Sequence, residues 1–139
     1  MSEIKLTISA VIPYFNSDKT ILRALDSVIN QTERVDEIVL VNDGSEDDGY
    51  DTVRRYIEKH DKHNFIHINF KTNQGQAKAR NIGVLKSKSK YIAFLDADDA
   101  WHINKNKLQL QILKKENPTL LSCKVCEFTD KIKNDINTM

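Results

Sequence analysis

Short apolar runs alternate with amphipathic stretches along almost the whole chain. Residues 9–13, 37–41 and 91–95 are nearly continuous in apolar side chains: 9–13 reads as a strand ended by Pro13, 37–41 as a strand covered on both faces, and 91–95 as a short buried strand. Residues 64–70 alternate instead. They predict a strand with Ile66, Ile68 and Phe70 on one side and a half-exposed His67 on the other. Residues 120–128 read as a fifth strand. Between the strands the spacing turns helical. Ile21, Leu22, Leu25, Val28 and Ile29 mark a helix opened by Ser17 or Asp18 and ended by 30–32. Val53, Tyr56 and Ile57 mark a second helix, from 46–48 to about 62, whose acidic start suits the helix dipole. A third runs from 76 to about 87. Its interior Gly83 costs about 1 kcal/mol against Ala, so a close packing contact is expected there. The fourth runs from about 104 to 116 with Leu108, Ile112 and Leu113, and Asn117-Pro118 stops it.

This order predicts an α/β fold: a mostly parallel central sheet with helices on both faces, in a single domain over 1–139. The polar, Lys- and Asn-rich segment 129–139 reads as a frayed tail. Three clusters follow strands and therefore share one sheet edge: Tyr14 to Asn16, Asn42 to Ser45, and Asp96 to Asp99. At the third, Asp96, Asp98 and Asp99 repel one another unless a cation sits among them. The oxygen-only donor set favours Mg²⁺ or Mn²⁺ over zinc. A solvated acidic turn with Asp99 as a helix N-cap is the competing reading. Asp43 can accept from a nucleobase N–H or from its own turn backbone. Tyr14 and Phe15 offer a flat face for a base, or one of them tucks into the core. Lys78 and Arg80 can serve phosphates at a helix start or form a solvated basic face. His60 and His63 read as surface residues.

Charge and composition narrow the partners. The 139 residues carry a formal charge of +1 with acids and bases mixed, so no strong field points to nucleic acid. Hydrophobic content of 40% and charged content of 29% suit a soluble globular protein. No apolar run approaches the ~20 residues of a membrane span, and residues 1–5 show no signal-peptide pattern. A reducing, cytoplasmic setting is expected. Cys123 and Cys126 form a C-x-x-C pair, but a zinc site would need two further ligands and no second pair exists. The pair lies in strand-like sequence, so both thiols read as small packing residues.

The motifs in order carry a resemblance. Residues 10–16 (Ala-Val-Ile-Pro-Tyr-Phe-Asn), 25–32 (Leu-Asp-Ser-Val-Ile-Asn-Gln-Thr), 37–47, Asn73-Gln74-Gly75 with 79–83, and 94–99 (Phe-Leu-Asp-Ala-Asp-Asp) together resemble the family 2 glycosyltransferases over about residues 8–128. Each motif alone is weak, but five in the family's order and spacing are specific. The resemblance implies a Rossmann-like A-type glycosyltransferase (GT-A) fold. It implies inverting, metal-dependent transfer of a sugar from a nucleoside diphosphate donor, with UDP favoured, to a saccharide or lipid-linked acceptor. It places Pro13, Phe15 and Asn16 around the base, Asp43 on the base N–H, and Asp96 and Ala97 near the ribose. Arg80 would neutralise phosphate. Asp98, in the family's Asp-x-Asp, would ligate Mn²⁺ or Mg²⁺ with support from Asp96 and Asp99.

Two departures stand out. Asn42 occupies a position where the family usually has a carboxylate. The general base that deprotonates the acceptor is expected beyond Met139, which makes this chain the donor-binding half. A non-catalytic nucleotide-sugar-binding or assembly module is the alternative. Exposed apolar surface on such a half predicts a homo-oligomer. Family resemblance suggests polysaccharide assembly, with at most peripheral contact at the inner membrane face. A phosphohydrolase reading of Asp96-Ala97-Asp98 fails because that motif normally opens the first strand and continues to Thr or Val, whereas here it ends the fourth strand and continues Asp99-Ala100. A dinucleotide-binding reading fails because no G-x-G-x-x-G follows the first strand.

Overall fold

The computed structural model describes residues 5–125. Strands and helices alternate: β1 (Ile8–Tyr14), α1 (Ile21–Ile29), β2 (Glu37–Asn42), α2 (Gly49–Lys59), β3 (Phe65–Asn69), α3 (Gln76–Lys86), β4 (Tyr91–Phe94) and α4 (Lys105–Glu116). The sheet has the order β3-β2-β1-β4, and every pairing is parallel. Register is fixed by pairs such as Ile12 with Leu40 and Ala10 with Ala93.

The topology follows from the hand of the crossovers. The chain steps outward from β1 to β2 to β3, then returns past β1 to lay down β4. Right-handed crossovers in opposite directions put their helices on opposite faces. Accordingly α1 and α2 pack with Ala10, Ile12, Tyr14, Ile38 and Leu40 on one face. Ala79 of α3 packs with Val11, Val39 and Val41 on the other. Both faces of β1 and β2 are thus covered, so every residue of those strands is buried and most are apolar, while Ser9 and Glu37 pair with each other. Ile12, Leu40, Ile21 and Leu25 are fully buried, and each such side chain stabilises the fold by about 1.5–3 kcal/mol. The expected close contact at Gly83 is present: a Cβ there would sit 2.4 Å from Cγ1 of Val11. The reversal of direction opens a crevice beyond the ends of β1 and β4, the place where such sheets bind ligands.

Several expectations need correction. The run 91–95 is expected to be a buried strand, but β4 lies at the sheet edge, none of its four residues is buried and Phe94 is exposed. Residues 120–125 form no strand, and 126–128 of the expected fifth strand lie outside the described residues. Cys123 is exposed rather than packed, and Cys126 is outside the described residues. Helix α1 starts at Ile21. The carbonyl of Ser17, not its hydroxyl, accepts the amides of Thr20 and Ile21 at 3.0 and 2.9 Å. Its buried stripe is Ile21, Ala24, Leu25 and Val28, leaving Leu22 exposed. In α4 only Leu113 and Asn106 are buried. Leu108 and Ile112 face outward because the helix docks through polar contacts of Asn106 with Gln31 and Glu33. His60 is half-buried and stacks on Tyr56 at 4.0 Å between ring centroids. No helix among the described residues is long and apolar enough to cross a membrane.

Candidate functional site

A cleft of about 660 Å³ opens at the C-terminal ends of β1 and β4. Its walls include Pro13, Phe15, Asn16, Asp43, Asp96 and Asp98. The three clusters thus converge as their positions after strands require. Tyr14, Ser17, Thr20, Asn73, Gly75, Gln76, Ala79 and Ala97 complete the lining.

The first wall is built by the loop after β1. Phe15 is 42% exposed, so an apolar ring face stands open to a planar ligand, while the Tyr14 ring is buried. The Tyr14 hydroxyl is hydrogen-bonded to Nε2 of His67 at 2.7 Å, and His67 stacks on Tyr50. Burial pushes the Tyr14 hydroxyl pKa up and the His67 imidazole down to about 4. Asn16 has φ 47°, the left-handed region that Asn tolerates better than most residues. Its amide donates to Ser45 Oγ at 3.0 Å, and its Oδ1 accepts from the Glu46 amide at 2.8 Å. Asn16 therefore locks the β1 loop to the β2 loop.

The second wall carries Asp43, which is buried. Its Oδ1 accepts from the Gln74 amide at 2.7 Å and its Oδ2 from the Gly75 amide at 3.0 Å. These partners lie in the loop before α3, not in the turn that holds Asp43. Each carboxylate oxygen accepts more than one hydrogen bond, so capacity remains for a ligand donor. Gly44 makes the approach of that loop possible. Its φ is +71°, and a Cβ would lie 2.4 Å from the carbonyl carbon of Thr72. Asn42 is buried beneath, donating from Nδ2 to Asn69 Oδ1 at 2.7 Å and accepting from the Ser45 amide and hydroxyl. It is absent from the cleft lining.

The third wall is the acidic loop after β4. Arg80 of α3 donates to Asp96 Oδ1 at 2.5 Å, and Gln76 Nε2 donates to the same oxygen at 3.3 Å. Nε of Arg80 is buried without an acceptor, so the guanidinium has donor capacity beyond Asp96. The Asp99 amide donates to the Asp96 carbonyl at 3.1 Å, closing a turn that leaves the Asp98 side chain exposed at the cleft. Burial, then the charges of Asp98 and Asp96, push the Asp99 carboxyl up, with Arg23 opposing. Among the described residues no three His, Cys, Asp or Glu side chains form a group that could hold a metal ion. Asp96 is turned to Arg80, whereas the Asp98 side chain is exposed at the cleft. Neither expected phosphate residue lines the cleft itself: Lys78 is exposed, and Arg80 stands behind Asp96.

Sequence reading did not single out Gln76, Thr20 or Arg23 as site residues, and it named Ser17 only as a helix cap. The signal for Arg23 was legible. It begins a polar row Arg23, Ser27, Gln31 at four-residue spacing on a helix whose opposite face is apolar.

The chain matches the family described as Glycosyl transferase family 2 over residues 9–137. An uncharacterized glycosyltransferase of Rickettsia bellii is 38% identical over 110 residues, 79% of this chain and 15% of that protein. S. aureus TarS, solved with UDP-GlcNAc, superposes with a TM-score of 0.73 at 26% identity, over 81% of this chain and 32% of its own. Mannosyltransferase PcManGT of Pyrobaculum calidifontis, solved with GDP-Man and Mn²⁺, gives a TM-score of 0.66 at 25% identity, over 70% of this chain and 29% of its own. The chain spans a third or less of the length of these three proteins. The fold is the GT-A fold, and the chain belongs to glycosyl transferase family 2.

Proposed function

We propose that this chain is the donor-binding part of an inverting, metal-dependent glycosyltransferase that takes a nucleoside diphosphate sugar, with UDP as the favoured nucleotide. The carrying observation is one cleft that collects an exposed aromatic face at Phe15, a buried acceptor at Asp43 and an exposed carboxylate at Asp98. These are the groups that a base, its N–H edge and a cation-bridged diphosphate require.

Phe15 and the backbone near Pro13 hold the base by stacking. Asp43 accepts from the base N–H with the lone pairs that Gln74 and Gly75 leave unused. Asn16 keeps the two loops at fixed separation. Asp96 and Ala97 border the ribose, and Arg80 offsets phosphate charge from its place beside Asp96. The oxygen donors fit Mn²⁺ or Mg²⁺, with Asp98 as the ligand and Asp99 in support. A bound cation would supply Lewis-acid neutralisation of the departing nucleoside diphosphate. Fixing base and diphosphate orients the anomeric carbon for attack. TarS with UDP-GlcNAc and PcManGT with GDP-Man and Mn²⁺ support this reading by analogy.

Saturation-transfer NMR with UDP, GDP and dTDP tests it. Strong transfer to the uracil and ribose protons of UDP in the presence of Mg²⁺, lost in Phe15→Ala, is the expected result. Absence of transfer to all three nucleotides from a folded chain refutes it.

A further inference from the structure

Residues 25–32 belong to the motifs that identify the family, yet no member of that stretch lines the cleft. The structure gives part of it a task. Three side chains at four-residue spacing, Arg23 and Ser27 of α1 and Gln31 just beyond it, project along one line. Each grips the segment that follows β4. Arg23 Nη2 donates to the Asp98 carbonyl at 2.5 Å. Ser27 Oγ accepts from the Trp101 amide at 3.0 Å and donates to the Ala24 carbonyl at 2.7 Å. Gln31 Nε2 donates to the His102 carbonyl at 2.7 Å, and its Oε1 accepts from the Asn106 amide at 2.9 Å. The Thr32 amide adds a bond to the Ile103 carbonyl at 3.1 Å.

The segment from Asp98 to Asn104 lies between β4 and α4 and has no ladder of its own. Several of its backbone groups find partners outside the segment. The row along α1 supplies most of them, and it ends at the residue whose carboxylate is exposed at the cleft. Arg23 brings a charged donor to the Asp98 carbonyl, a stronger bond than a neutral donor makes. It also brings positive charge to a loop with three carboxylates.

We infer that Arg23 is a positioning residue for metal-dependent nucleotide binding, fixing the Asp98 backbone so that its carboxylate is presented to a divalent cation, with Ser27 and Gln31 anchoring the rest of the segment. This rests on the donor-site reading above. Groups that orient a metal ligand typically cost about 10–100-fold in metal affinity when removed.

Two measurements on the whole chain and on Arg23→Ala and Arg23→Lys test the inference. The first needs no ligand: hydrogen exchange of the amides of 96–100. Arg23→Ala is expected to speed exchange there at least severalfold while leaving α1 and β1 unchanged, and Arg23→Lys to restore part of the protection. The second is the Mn²⁺ concentration that half-saturates UDP binding. Arg23→Ala is expected to raise it about tenfold or more, with Arg23→Lys in between. Unchanged exchange and unchanged Mn²⁺ half-saturation in a folded Arg23→Ala overturn the inference. If no nucleoside diphosphate binds the unaltered chain, the donor-site reading fails instead, and the exchange data alone decide whether Arg23 holds the loop.

Discussion

Asp43 and Gly75 are joined by a hydrogen bond of 3.0 Å from the Gly75 amide to Oδ2, beside the 2.7 Å bond from Gln74 to Oδ1. One buried carboxylate thereby clasps the loop that opens α3. Removing it deprives two amides of a part-exposed loop of a charged acceptor, and a hydrogen bond to a charged group contributes about 1.5–3 kcal/mol at most. Asp43→Ala is expected to lower the denaturation midpoint and to expose 72–75 to proteolysis. Gly44→Ala should do the same by a different route, because its Cβ meets the Thr72 carbonyl carbon at positive φ. Equal cleavage rates in both variants and the unaltered chain would contradict the clasp.

Arg80 and Asp96 form the second clasp, between α3 and the acidic loop. Both side chains are more than a third exposed, so the pair contributes little to stability, about 1 kcal/mol or less. Arg80→Ala is expected to shift the thermal midpoint slightly and to weaken UDP binding at least about tenfold, the loss of one charge-assisted phosphate contact. Unaltered affinity in Arg80→Ala would remove Arg80 from the site.

The His67 imidazole, held down to about 4 by burial, makes stability depend on pH. The unfolded chain binds a proton below its ordinary value of 6.5, whereas the folded chain does so only near 4. The unfolded state therefore carries more protons between these values, and stability falls as pH drops from 6.5 to about 4. His67→Gln keeps a partner for the Tyr14 hydroxyl and removes the titration. Urea denaturation at pH 7 and pH 4.5 is expected to show a smaller pH-dependent loss in His67→Gln. An identical loss in both proteins would assign the pH dependence elsewhere.

Gly83 is a packing position. Alanine ordinarily stabilises a helix interior by about 1 kcal/mol over glycine. Here the added methyl would press on Val11, a core residue of β1, and overpacking costs about 1–3 kcal/mol. Gly83→Ala is expected to lower the thermal midpoint, and a rise would mean that α3 shifts away freely.

Much of this was legible in the sequence. Unbroken apolar runs at β1 and β2 announced strands covered on both sides. Their polar ends at Asn16, Asp43 and Asp96 announced a shared edge. The contacts that organise that edge were not legible, because they join residues distant in sequence. Asp43 reaches Gln74 and Gly75, and Arg23 reaches Asp98. A side-chain acceptor in a turn reads locally as serving that turn, and only the fold reveals its other partner. Leu108 and Ile112 misled for a related reason. Their helical spacing is real, but Asn106 docks α4 through Gln31 and Glu33, leaving those side chains outward. Cys123 likewise sits in β-prone sequence without a described neighbouring strand to pair it.

Calorimetric titration of the chain with UDP, with and without Mn²⁺ and repeated on Asp98→Ala, tests the donor-site assignment most directly. Binding that strengthens with Mn²⁺ in the unaltered chain, and loses that metal dependence in Asp98→Ala, is the predicted result. UDP binding with equal affinity in all four conditions, or none to a folded chain, would contradict it.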